Sequence, residues 1–349
     1  MAGGVVRRLA IVLAAVSLLA ACSGADAEGP VRLVTYSSFP VEGTGANEAL
    51  AAFTADTGIE VEIVVAGDTG TMIAKAALTA GNPEGDVMWG VDNTFLSRAV
   101  EAEVFEAHRS PAAEAIDPAL MALVPDDLVT PVDFGDVCVN YDIDALAAAG
   151  VAPPVDFADL ADPAYRGLLA VQDPGSSSPG LAFLIGTVVT FGDEWPAYWE
   201  SLLANDVLVT DDWEEAYYGA FTRAGGDRPL VVSYGSSPPY EVLFDPERDT
   251  PPTGVAEGTC TRQVEFAGVL RGTERPDAAR ALVDFLASAD FQRHVANDLY
   301  VFPVDPSVEL DPVFTEFAVV PDAPVVADPV VVDASRADWL ERWANVVGR

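Results

Sequence analysis

Apolar and polar residues fall into a repeating order along the first hundred positions. Val31-Arg32-Leu33-Val34-Thr35-Tyr36 is a β-branched run that predicts a strand, ended by Ser37-Ser38-Phe39. Leu50 and Phe53 share one face of a predicted helix over 47–57, which Gly58 stops. A second strand is predicted over 59–65, the turn Gly67-Asp68-Thr69-Gly70-Thr71 caps a helix over 72–80, and a third strand covers 86–90. Val91-Asp92-Asn93-Thr94 then opens another helix. Strand, polar turn and helix thus repeat three times. That order predicts a parallel α/β sheet whose loops at the carboxyl ends of the strands face a ligand. Tyr36, Asp68, Thr69 and Asp92 fall in those loops, and each also suits a plain cap or turn.

A strand-rich stretch follows over 128–141, then a helix over 143–149 and the pair Pro153-Pro154, where a second α/β block begins. At its centre the apolar run Leu168-Leu169-Ala170-Val171 ends in Asp173-Pro174-Gly175, followed by Ser176-Ser177-Ser178-Pro179 and a helix over 181–189. Serine caps a helix well and proline fits its first position. Free N–H groups and hydroxyls there suit an anion or polar ligand, although such helix starts also occur without one. A helix is predicted over 195–204. Strands over 207–210 and 230–234 deliver Asp211-Asp212-Trp213-Glu214-Glu215-Ala216-Tyr217 and Gly235-Ser236-Ser237-Pro238-Pro239-Tyr240 at their ends. A strand over 261–270 leads back to the first block. Helices are expected over 276–287 and 291–296, an extended segment over 299–304, surface wrapping over 305–333 and a closing helix over 335–347.

With 349 residues, half of them apolar, the chain has room for two lobes with real cores. Its net charge of −37 argues against nucleic acid as a partner and is compatible with a cationic ligand. Arg7-Arg8, the apolar run 9–18 and Leu19-Ala20-Ala21-Cys22 form an export signal with a lipobox-like end. Residues 1–21 are expected to be a lipoprotein signal peptide, Cys22 the lipidated first residue and 22–30 a tether. An ordinary signal peptide with an incidental cysteine is the plainer alternative. The mature chain is therefore expected outside the cytoplasm, on a membrane. Cys138 and Cys260 then meet an oxidising compartment, so a disulfide is the default and two free buried cysteines the alternative.

The chain has no Gly-x-Ser-x-Gly, no Cys/His grouping with zinc spacing and no nucleotide-type phosphate loop. His108 and His294 are its histidines, and His294 reads as a surface residue of an amphipathic segment. No catalytic residue, metal or cofactor is expected.

Six local sequences occur in one order over nearly the whole mature chain. They are Thr35-Tyr36-Ser37-Ser38-Phe39, Trp89-Gly90-Val91-Asp92-Asn93, the stretch 172–181, 212–217, Ser233-Tyr234 with Ser237-Pro238-Pro239-Tyr240, and Tyr300-Val301-Phe302-Pro303-Val304. Together they resemble the periplasmic thiamine-binding proteins of ABC importers. The resemblance implies an α/β, two-lobed type II periplasmic-binding-protein fold with a ligand cleft between lobes. Lobe 1 would comprise 31–137 with a return over 261–310, lobe 2 would comprise 138–260, and 311–349 would form a C-terminal wrapping segment and helix. It also implies a monomer that captures thiamine or its phosphates and delivers it to a permease, without chemistry. Asp68 and Thr69, with Tyr36 and Asp92 nearby, would meet the ligand from lobe 1. Ser177 and Ser178 would hold the hydroxyethyl or phosphate end. Trp213 and Tyr234-Gly235-Ser236-Ser237 would come from lobe 2, with Tyr240 and Tyr300 as stacking partners.

The chemistry of thiamine agrees with that set: a cationic ring gains from aromatic faces, and an Asp accepts from the exocyclic amine. The chain also departs from the family. Val41-Glu42-Gly43-Thr44 carries no aromatic after the first strand, Gly175 stands where an arginine is usual, and Tyr300 where a tryptophan is often found. Losing the arginine implies a weaker grip on phosphate and a preference for free thiamine. Two alternatives stay open. One keeps the fold and binds a polyamine, ferric ion or small oxyanion. The other is a thiamine-cleaving enzyme of similar fold, which would need Cys138 or Cys260 as a thiolate.

Overall fold

The computed structural model describes residues 29–245 and 247–349. The export segment 1–21, Cys22 and the tether up to residue 28 lie outside the described residues.

The strands are β1 (Val31–Thr35), β2 (Val61–Val65), β3 (Val87–Asp92), β4 (Phe105–Glu106), β5 (Thr130–Asp142), β6 (Leu169–Gln172), β7 (Leu208–Thr210), β8 (Leu230–Tyr234) and β9 (Thr253–Leu270). They form one sheet in the order β2-β1-β3-β9-β5-β8-β6-β7, with β4 on β9. Its two ends are parallel: β1 lies between β2 and β3, and β6 between β7 and β8. Each end is an α/β unit, as the strand–turn–helix repeats require. The antiparallel pair β5 and β9 runs through the middle and belongs to both. This is the two-lobed α/β architecture.

β9 is longer than the 261–270 segment expected, because it starts at Thr253. Within it Gly254 and Gly258 each accommodate a close approach, Gly254 beneath the Tyr141 ring and Gly258 beside the Val155 carbonyl. The two crossing strands are joined by the disulfide Cys138–Cys260. It closes a separation of 122 residues, at the point where the β5–β9 register shifts between Val137 and Val139. The oxidised pair is therefore the form the fold adopts.

One core cluster packs Phe53, Leu282 and Phe291 against Trp89 on the β1–β3 side. A larger one runs from Met72 and Phe95 through Val171 and Leu184 to Trp199 and Trp343. The C-terminal residues do more than wrap the surface. The closing helix starts at Pro329, not 335, with Asp328 as its cap, and a further helix, Pro312–Phe317, starts the same way at Asp311. Both Asp-Pro starts lie in valine-rich sequence whose composition favours extended chain, which masks them. Trp343 meets Trp199 edge-on at 5.6 Å and the Arg336 guanidinium lies 5.9 Å from the Phe95 ring. The last helix therefore touches both halves.

Candidate functional site

The carboxyl ends of β1, β2 and β3 face those of β6, β7 and β8 across a cleft with about 780 Å³ of empty space. Nine residues singled out in the sequence line it: Tyr36, Asp68, Thr69, Ser178, Trp213, Tyr234, Ser237, Tyr240 and Tyr300. Four others stand behind the wall. Asp92 and Ser177 are wholly buried, Ser236 donates to the Tyr300 carbonyl at 2.5 Å, and Gly235 pairs through its backbone with Asp136 and Val319.

Local chain geometry explains each position. Asp68 caps the helix Thr69–Leu78, its Oδ1 accepting from the Thr69 N–H at 2.7 Å. The Thr69 hydroxyl donates to the Gly90 carbonyl at 3.0 Å. Gly90 is required where Tyr36 lies: its φ is +110°, and a Cβ there would sit 2.4 Å from the Tyr36 ring. On the far wall the helix Ser178–Phe191 begins at the serine turn, and Ser178 Oγ donates across the cleft to Asp92 Oδ2 at 2.5 Å. The Ser176 hydroxyl turns away and donates to the Asp211 carbonyl. These hydroxyls are spent on the protein.

The aromatic wall is continuous. Trp213 stacks on Tyr217 at 4.9 Å while its indole N–H donates to Ser233 Oγ at 3.0 Å. Tyr240 meets Tyr300 edge-on at 4.5 Å. Tyr217 and Tyr218 lie on a π-helical turn, Glu215–Ala220, that apolar periodicity does not reveal. Tyr300 has a φ of 59°, uncommon for a side chain of its size.

Glu265 and Asp298 also line the cleft and escaped the sequence reading, while Ser38 and Val301, quoted there only within local sequences, line it too. Glu265 is in mid-strand, where no loop or turn signal marks it. Asp298 is held by the Ala46 N–H at 2.6 Å, and burial raises its pKa. His294 is half-buried beside it, 4.0 Å away, rather than a plain surface residue.

Among the described residues the lining carries three carboxylates (Asp68, Glu265 and Asp298) and no lysine or arginine. Burial raises Asp68 to about 6 against the pull of the Thr69 N–H and Ser177. It raises Asp133 to about 7 and Glu265 well above the usual carboxylate range, where Asp133 and Asp92 push further. Burial likewise keeps the Tyr36 and Tyr234 phenols protonated, with Glu265 adding to both. Such a site suits a flat, cationic, hydrogen-bonding ligand. Among the described residues no group of three or more His, Cys, Asp or Glu is arranged to hold a metal ion.

Comparison with known proteins places this architecture. Residues 48–321 match the family model for bacterial extracellular solute-binding proteins. The thiamine-binding periplasmic protein of Escherichia coli is 30% identical over 337 residues, covering 95% of this chain and 98% of that one. That of Haemophilus influenzae is 27% identical over 97% of this chain and 98% of its own length. An iron uptake protein of Synechocystis is 28% identical over 69% of this chain and 71% of its own. A solved periplasmic thiamin binding protein superposes with a TM-score of 0.81 at 28% identity, covering 91% of this chain and 96% of that one. The chain belongs to the bacterial extracellular solute-binding proteins, extracytoplasmic proteins that capture a small molecule for an importer.

Proposed function

We propose that this protein captures thiamine in the cleft and hands it to the permease of an ABC importer. The observation that carries this is the lining itself: aromatic faces on both walls and three carboxylates with no basic side chain. A thiazolium cation over Trp213, Tyr240 or Tyr300 gains ~0.5–2 kcal/mol per good contact. Asp68 is placed to accept from the aminopyrimidine amine.

Free thiamine is the preferred form over its phosphates. Gly175 supplies no charge to the serine turn, and Arg349, which reaches that turn from outside, is committed to Asp173 at 2.8 Å and to the Val209 carbonyl at 3.0 Å. A phosphate would instead meet the carboxylates of the lining, Asp68 among them. Calorimetric affinities for thiamine and thiamine monophosphate test this, and a clear preference for the monophosphate overturns it.

Ferric ion is disfavoured by the tyrosines. Tyr234 accepts from Gln263 Nε2 at 3.3 Å and Tyr240 from the Tyr218 hydroxyl at 3.3 Å, so the two phenols serve separate networks. Thiamine cleavage is disfavoured by the disulfide, which leaves neither Cys138 nor Cys260 as a nucleophile. The protein acts without chemistry or cofactor, as a monomer with lobes 31–137 plus 261–310 and 138–260. It is held to the membrane by lipid on Cys22. Thermal shift with thiamine, spermidine, ferric citrate and sulfate decides the ligand class: at 100 times its dissociation constant a ligand adds ~2.7 kcal/mol. A shift from another ligand but not thiamine keeps the fold and removes the specificity.

A further inference from the structure

Three carboxylates stand side by side across the centre of the sheet. In the β3–β9 register Asp92 faces Glu265, and in the β5–β9 register Asp133 faces Glu265. Like charges directly opposed on neighbouring strands repel. Here they are also dry: Asp92 and Asp133 are almost wholly buried and Glu265 is 7% exposed. Burial without a counter-ion is tolerated only if the row gives up charge or gains a cation.

The protein's own donors do not balance the row. Asp92 is served by Ser178, Thr94 and the Phe95 N–H. Asp133 Oδ2 accepts from the Trp89 indole at 3.1 Å. Glu265 Oε1 accepts from Gln263 Nε2 at 3.1 Å, while Oε2 makes no well-formed hydrogen bond and has the Trp89 indole and the Asp133 carboxyl beside the group. Glu265 is the member of the row that reaches the cleft. The groups facing it are Asp92 from β3, Asp133 from β5, Asp68 beyond β2, Tyr36 beyond β1 and Tyr234 from β8, all acids or phenols. Arg336 is the base in the field of Asp92, from the C-terminal helix.

We propose that Glu265 selects for a cationic ligand, and that its row with Asp92 and Asp133 holds a proton in the empty cleft and releases it to solvent when the cation enters. No covalent bond changes: one O–H bond of the row breaks, its proton goes to buffer, and the ligand's fixed positive charge replaces it. Three opposed carboxylates this deeply buried favour keeping one proton among them, in line with burial raising the pKa of Asp133 to about 7. Affinity for the cation then rises with pH through that range and levels off above it. This rests on thiamine being the ligand but goes beyond it, since it names the residue that reads the charge and the proton exchanged.

The experiment is calorimetry of the mature protein with thiamine in phosphate and in Tris, from about pH 6 to about pH 8. Expected is proton release on binding, largest below pH ~7, fading towards pH ~8 and lost in Glu265→Gln, with affinity lowered roughly 10- to 100-fold. Asp133→Asn, which touches no ligand, should keep tight binding and move the pH dependence downward. A structural role alone would lower thermal stability without moving that profile. Thiamine binding with no proton release, or with release unchanged in Glu265→Gln, overturns the proposal. Infrared spectra of the ligand-free protein supply a check free of thiamine. A protonated-carboxyl C=O band must be present near neutral pH and lost in Glu265→Gln or Asp133→Asn, and its absence also overturns the proposal. If wild type ignores thiamine, thiamine capture fails by itself, and the same titration with spermidine decides the role of Glu265.

Discussion

Ser178 and Asp92 meet across the cleft, one on the first turn of a helix of the far half, the other at the end of β3, with 2.5 Å between Oγ and Oδ2. Burial raises the pKa of Asp92, and Ser178 is the first of the donors that hold it down. Removing that hydroxyl leaves a buried carboxylate oxygen unmatched, which costs about 1–3 kcal/mol. Ser178→Ala is therefore expected to lower the unfolding free energy from urea titration by that amount, as a fall in midpoint at unchanged slope. Ser178→Thr, which restores a hydroxyl, should recover part of it. An unchanged midpoint in the alanine variant would show that Asp92 has other support.

Stability should fall as pH rises. The folded pKa values of Asp68, about 6, and Asp133, about 7, lie above the unfolded value of ~3.9. Between those limits the folded state binds more protons than the unfolded one. The stabilisation from these groups is present below pH ~4 and is lost as pH rises through their folded values, by up to about 1.4 kcal/mol per pH unit per group. Ligand-free protein is thus expected to melt higher near pH ~5.5 than near pH ~8, and Asp133→Asn to flatten the difference. A melting temperature that climbs over that interval would contradict the buried-acid picture.

The sequence disclosed the outer parts of this molecule better than its centre. Loops after parallel strands announce themselves by turn chemistry, so Tyr36, Asp68 and Trp213 were legible as candidates. Glu265 was not, because a carboxylate within Thr253–Leu270 looks like any solvent-facing strand position until β3 and β5 are known to flank it. Helix starts at Asp311 and Asp328 carry a cap-then-proline signal like that of Ser178-Pro179, but valine-rich context outweighed it. The π-helical Tyr217 and Tyr218 have no sequence signature, since one inserted residue shifts the face on which each side chain lies. The disulfide was readable from compartment and count. Its place at the crossing of β5 and β9 was not.

At Gly70 the two halves meet backbone to backbone. Its N–H donates to the Ser176 carbonyl at 2.7 Å, and a Cβ there would lie 2.5 Å from the Gly175 carbonyl oxygen and 2.7 Å from that of Ser176. Both obstacles are backbone, so Gly70→Ala must hold the halves apart. If closure drops to a tenth of its former population, apparent affinity drops about tenfold. The thiamine-saturated variant should also show a larger radius of gyration by small-angle scattering than saturated wild type. Equal radii and equal affinity would show that closure does not use this contact.

The Cys138–Cys260 bridge joins two buried positions on the crossing strands. Replacing both by serine is expected to cost ~2–5 kcal/mol, chiefly by freeing the unfolded chain. Denatured, unreduced protein lacking the export segment and Cys22 should show no free thiol. Two titratable thiols would reopen thiol chemistry.

Tyr300 combines a left-handed backbone with a wall position. Its φ is 59°, its carbonyl accepts from Ser236 Oγ at 2.5 Å, and its ring stands edge-on to Tyr240 at 4.5 Å. A non-glycine residue in that region costs of order 1–3 kcal/mol. Tyr300→Gly should therefore remove strain from the backbone and the aromatic wall at once, so melting temperature changes little while thiamine affinity falls roughly tenfold through the lost ring contact. Tyr300→Trp keeps the strain and widens the face, and is expected to bind at least as tightly as wild type. The two substitutions separate fold from site. If glycine lowers stability and affinity together, the ring supports the packing around Tyr240 and not the ligand alone. If tryptophan weakens binding, the wall is fitted to a tyrosine edge on Tyr240 and has no room for a broader stack.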